Sequence, residues 1–181
     1  MAKSASDARA SHLAHLIELG LTPAAAQATI DIDHVMIHIR RSMQRREMGR
    51  MALRDLKLDI DVADLEILSA LELCAIEGNE ATVGLIAERL NVDPSRASRI
   101  VADAVEKGIV RRVASQSDAR RIGLELTETG QQHAAAIRTY KWGVFAEALG
   151  DWPEADLVTF ARLFQRFSGW MAEAKAKAGK V

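Results

Sequence analysis

Apolar residues along the chain fall into helical spacing for most of its length and into a strand-like pattern only once. "HLAHLIELGL" predicts a short helix ending at Gly20. Thr22 and Pro23 then supply an N-cap and a first helical residue for "TPAAAQATIDIDHVMIHIRRSMQRREMGRMALRDL", which predicts one long helix closed by "LKLDID". Asp61 caps "VADLEILSALELCAIE", which stops at Gly78, and Thr82 caps the short "VGLIAERL". Asp93 and Pro94 open "PSRASRIVADAVEKG", with Gly108 as its left-handed end. Two short β-rich runs, "IVRRV" and "RIGLEL", flank "SQSDARR" as a hairpin. Thr127 begins a helix to about residue 149, and Pro153 begins the last.

Only "NVD" separates the helices capped by Thr82 and Asp93, so they must cross at a large angle. This predicts a helix-turn-helix. Ala87 is small at the crossing, and Asn91 tolerates the positive φ of the turn. Ala97, Ile100, Val101 and Ala104 form the inward stripe of the second helix, which leaves Ser95, Arg96, Ser98 and Arg99 facing outward near its start. Arg forks onto guanine, and Ser bonds base edges or phosphates, so this face matches a major groove. Its other reading is a solvated charged helix face.

Charge sharpens the picture. The chain carries a formal −1, yet Arg89 to Arg121 holds eight basic and four acidic residues, an excess of +4 that leaves −5 elsewhere. A hairpin tip cannot add to a core, so Asp118, Arg120 and Arg121 are candidate contacts, with Asp118 aiming Arg120 into a minor groove. Arg111 is expected to touch the DNA backbone.

The stretch Val92–Gly130, "VDPSRASRIVADAVEKGIVRRVASQSDARRIGLELTETG", resembles without a gap the DNA-binding core of the MarR family of bacterial transcriptional regulators. The likeness lies in Pro94 and Ser95, Arg99, Gly108, Arg112, the Asp118-x-Arg120 pair and "LTETG". It implies a mainly α fold with a small β-hairpin wing, a winged helix-turn-helix between N- and C-terminal dimerisation helices. The corresponding division is 1–60, 61–127 and 128–181. Two positions depart from the family pattern: Ala104 stands where Leu is usual, which loosens packing, and Asp103 where a basic residue is frequent, which weakens phosphate affinity.

All eight aromatic residues lie between 140 and 170, with Phe160, Phe164, Phe167 and Trp170 at helical spacing. Such a stripe is core or interface, and the resemblance, in which the terminal helices of two subunits interlock, points to a homodimer. The family also commonly answers to small molecules, often aromatic or anionic. His34, His38 and Arg41, which share a helix face, are the candidate ligand groups, against the reading of a solvated stripe. His34, His38 and Asp31 also have metal-ligand spacing, but nothing in the sequence completes a set, and no metal or cofactor is assigned. The N-terminal helix resembles that of a urate-responsive branch of the family but lacks its Trp, which disfavours urate.

Single Cys74 shares a face with Ile67 and Leu71, which reads as a buried inert thiol with no basic residue within a turn of it. No apolar run approaches the ~20 residues of a membrane span, and residues 1–20 lack a secretory pattern, so a cytoplasmic protein is expected. The chain has no Gly-rich phosphate loop, no H-E-x-x-H and no G-x-S-x-G, and is read as not an enzyme. The leading expectation is a homodimeric, ligand-responsive regulator of double-stranded DNA targets, a repressor. The alternative is an architectural or accessory DNA-binding protein with no ligand.

Overall fold

A computed structural model describes residues 2–114 and 122–170, with side chains from residue 9 onward. The described residues form helices α1 (Ala2–Glu18), α2 (Pro23–Arg45), α3 (Glu47–Leu56), α4 (Val62–Ile76), α5 (Val83–Leu90) and α6 (Pro94–Glu106), strands β1 (Val110–Ala114) and β2 (Ile122–Leu126), then α7 (Glu128–Leu149) and α8 (Glu154–Ser168). The capping residues act as their chemistry requires. Thr22, Asp61, Thr82, Asp93 and Thr127 each accept a hydrogen bond from a first-turn amide. Asn91 and Gly108 take positive φ, as the two sharp turns around α6 demand.

The single long helix expected after Thr22 is instead two. Arg46, at φ 53° and ψ 39°, breaks it into α2 and α3. A left-handed non-glycine residue costs about 1–2 kcal/mol, so tertiary contacts must offset it. Arg46 pairs with Glu66 of α4, and the new direction brings Gly49 so close to α4 that a Cβ there would lie 2.8 Å from Leu65 Cδ1. The break falls in the polar run of residues 40–47, where Met43 is the one apolar residue, so sequence spacing does not show it. The first helix is also longer than its apolar pattern indicates, starting at Ala2.

The core gathers Ile67, Leu71 and Cys74 of α4, Ile86 of α5, Val101 and Ala104 of α6, and Ile109, Val110 and Leu124 at the base of the hairpin. Ala104 is fully buried, so the smaller side chain serves close approach of α6 to its neighbours. The hairpin is antiparallel, pairing Val110 with Leu126, Arg112 with Leu124 and Ala114 with Ile122. Leu124 N–H also donates to Ala81 O at 2.9 Å, tying the hairpin to the entry of α5.

Asp64, the one buried charged side chain among the described residues, accounts for a second non-local feature. Its Oδ2 accepts from the Asp61 amide at 2.8 Å and from Lys107 Nζ at 2.9 Å. Lys107 Nζ donates as well to Asp61 Oδ2 at 2.9 Å and pairs with Asp103 at 2.7 Å. A lysine ammonium therefore stands among three carboxylates. Burial pulls the Lys107 pKa down, but hydrogen bonds to Asp103, Asp64 and Asp61 outweigh it and leave it above the ordinary lysine value. The Lys107 hydrogen bond holds Asp61 below the ordinary carboxylate range.

The sign of the pH dependence follows. A depressed carboxyl contributes stability that is complete above its unfolded value, about pH 4, and is lost as pH falls through the folded value. A raised ammonium contributes fully below about pH 10.4 and loses its effect only as pH rises through the folded value. Urea midpoints measured at pH 7 and pH 3 should therefore differ less in Asp61→Asn than in the parent. An identical gap would place the acid lability in other carboxylates.

Candidate nucleic-acid interface

Helix α6 owes its orientation to three buried side chains, Ala97, Val101 and Ala104, each with no exposed surface. With that stripe fixed inward, Ser95, Arg96, Ser98 and Arg99 are all exposed on the opposite side near the N-terminus. The structure thus brings together the four residues that the spacing selects on this helix.

Their hydroxyls have defined roles. Ser95 Oγ donates to the Asp93 carboxylate, which also accepts from the Arg96 amide at 2.9 Å. Those bonds, that of Ser95 first, hold Asp93 below the ordinary carboxylate range. Ser98 Oγ donates to Pro94 O at 2.9 Å. Both side chains are also exposed to solvent, where a hydroxyl can bond a base edge or a phosphate. Arg99 Nε reaches Ser95 O at 3.4 Å, a weak contact that leaves its terminal nitrogens outward.

The basic patch counted along the sequence shrinks in space. Arg89 turns inward, its side chain 16% exposed, and pairs with Glu77. The Glu77 hydrogen bond is the main reason its pKa is raised, with a smaller contribution from Cys74, so a cation from α5 does lie beside that buried thiol. Lys107 is held by the three aspartates. Arg111, expected on the DNA backbone, faces Glu125 across the hairpin and donates to it from Nη2 at 2.7 Å and Nε at 3.2 Å. Arg111 stays exposed in that pair, and Arg96, Arg99 and Arg112 are the exposed cations of this head with no carboxylate partner among the described residues. Asp118, Arg120 and Arg121 lie outside the described residues.

His34, His38 and Arg41 are exposed along α2 and line neither of the two main grooves of the described residues. Asp31, grouped with the two histidines by spacing, is engaged by Arg9 of α1 at 2.8 Å and Gln27 at 2.9 Å. The larger groove, about 720 Å³, runs between α4, the hairpin and α7, with Leu71, Leu124 and Leu126 on its walls and the Glu72–Arg138 ion pair at its edge. The sequence offered no sign of it, because its walls come from segments up to 67 residues apart.

A sequence model of the MarR family matches residues 62–121, the span from the start of α4 to the hairpin. Over that span the winged helix-turn-helix is similar to the MarR family. Solved structures agree in fold over most of the chain. A MarR family protein from Bacillus stearothermophilus is 18% identical with a TM-score of 0.66, the match covering 81% of this chain and 96% of that one. A MarR family transcriptional regulator from Silicibacter pomeroyi is 24% identical, with a TM-score of 0.57 and coverage of 78% and 90%. MepR of S. aureus bound to ethidium bromide is 20% identical, with a TM-score of 0.55 and coverage of 74% and 95%. No curated protein matches the chain. The MarR-type fold supports DNA-binding regulation, and no helix among the described residues is long and apolar enough to cross a membrane.

Proposed function

We propose that this protein is a transcriptional repressor that binds a palindromic operator as a homodimer and is released by a small molecule. Residues 61–127 are the reading head, and residues 1–60 and 128–181 join the two chains. The observation that carries the reading is the exposed Ser95, Arg96, Ser98 and Arg99 face on a helix whose opposite stripe is fully buried. That face enters the major groove, Arg112 meets the backbone, and Arg120, aimed by Asp118 and flanked by Arg121, takes the minor groove.

The ligand-responsive part rests on the exposed His34, His38 and Arg41 stripe and on the groove beside α7. MepR binds ethidium, an aromatic molecule, which supports an aromatic effector class here. A site using the α2 stripe would have to be completed by the second chain, since one chain does not enclose those side chains.

The test is footprinting on the DNA upstream of the gene, with the parent and Arg99→Ala. The parent should protect two symmetric half-sites centred roughly 10 bp, or a multiple, apart. Arg99→Ala should lose about 1–3 kcal/mol on that site and relax the preference at one base position. A single asymmetric half-site, or equal losses on operator and random DNA, would favour an architectural protein.

A further inference from the structure

Both connections between the proposed dimerisation helices and the reading head converge on residues 107–109. From the N-terminal side the chain enters through Asp61 and the first turn of α4, and these hold Lys107 through Asp61 and Asp64. From the C-terminal side it leaves through the first turn of α7, where Thr127 Oγ1 donates to Gly108 O at 2.6 Å and the Thr127 amide to Ile109 O at 3.1 Å. Residues 107–109 are also where α6 ends and β1 begins, so both elements assigned to DNA pivot there.

We propose that Lys107 is a positioning residue for DNA reading, an internal cation that fixes the C-terminal end of α6 against the entry of α4 and so sets the angle at which Arg96 and Arg99 are presented. The carboxylates of Asp61, Asp64 and Asp103 lie within 4.8 Å of one another, close enough to repel strongly without a cation between them. The Lys107 ammonium stands in that place and neutralises them. Asp103 belongs to α6 itself, one turn before Lys107, so that pair cannot orient the helix. Asp61 and Asp64 are 46 and 43 residues away on another element, and they can. Because the ammonium is spent on these three groups, it is not a phosphate contact.

The inference rests on the DNA-reading assignment, and the experiment separates the two. A duplex enriched by the full-length parent from a random library is compared with a random duplex of equal length over a range of salt. Lys107→Met and Asp64→Asn should each lower the ratio of enriched to random affinity about tenfold, with affinity for random duplex and its salt slope unchanged. Lys107→Met combined with Asp64→Asn should be no worse than Lys107→Met alone, Lys107→Arg should recover most of the ratio, and Asp103→Asn should stay within about twofold of the parent.

Losses on both duplexes alike, with the salt slope reduced by about one, would make Lys107 a phosphate contact and overturn the proposal. An unchanged ratio in Asp64→Asn would overturn it too. Should Lys107→Met fail to unfold cooperatively, Asp64→Asn decides alone, since its side-chain carbonyl still accepts from the Asp61 amide. A parent that enriches no sequence would overturn the DNA-reading assignment and this proposal together.

Discussion

Gly130→Ala should destabilise the protein by about 3 kcal/mol and lower its melting temperature by roughly 10 °C. A Cβ built on Gly130 lies 2.1 Å from the carbonyl oxygen of Ile109, far inside van der Waals contact. The neighbour is backbone and cannot swing aside. That oxygen already accepts from the Thr127 amide at 3.1 Å, and Ile109 is 1% exposed, so relief would require moving the start of α7 off the base of the hairpin. Gly143 lies in the same helix with nothing within 4 Å of its Cβ position. Gly143→Ala should therefore stabilise by about 0.5–1 kcal/mol, the ordinary helix preference for Ala. Thermal unfolding of the two variants beside the parent separates the causes. If both changed stability alike, helix propensity and not the contact with Ile109 would explain Gly130.

What the sequence revealed and what it hid divide by range of interaction. Thr22, Asp61, Thr82, Asp93 and Thr127 were legible as caps because each satisfies an amide two or three residues away, and their side chains suffice to name the act. Asn91 and Gly108 were legible because few residues accept positive φ. The outward face of α6 followed from the same logic, since four apolar positions at helical spacing determine which side is left over. Arg46 was not legible. Nothing local favours a left-handed arginine, and the ion pair that holds it comes from Glu66 on another helix. The charge count erred for the same reason. Arg89, Lys107 and Arg111 add to a basic patch on paper, but each finds a carboxylate across 12 or more residues, or across the hairpin. Electrostatic patches depend on which cations remain unpaired, and pairing is tertiary.

The second large effect concerns α8. This helix buries none of its side chains within the chain, although Phe160 stacks on Phe164 with centroids 5.6 Å apart and Trp152 meets Phe160 edge-on at 5.5 Å. Trp152, Val158, Phe160, Leu163, Phe164 and Trp170 are each between 42% and 61% exposed. Side chains of this size, half covered, still have on the order of 100 Å² apiece to remove from water. Six of them offer roughly 600 Å², approaching the ~800 Å² per partner of a stable interface. Exposed Ile32, Val35 and Ile39 on α2 add to the apolar surface that a second chain can cover. Replacing Phe160 and Phe164 together by Asp should therefore leave a protein of 19.8 kDa in light scattering, where the parent should scatter at twice that mass. Thermal unfolding of the helix-turn-helix should hardly change, because neither ring belongs to its core. Operator affinity should fall about 10³-fold, since two linked half-sites gain that much over one, whereas affinity for an isolated half-site should be retained. A doubly substituted protein that kept the parent's mass would move the interface away from α8. One that became monomeric yet kept full operator affinity would mean that each reading head acts alone, and the palindromic assignment would fall with it.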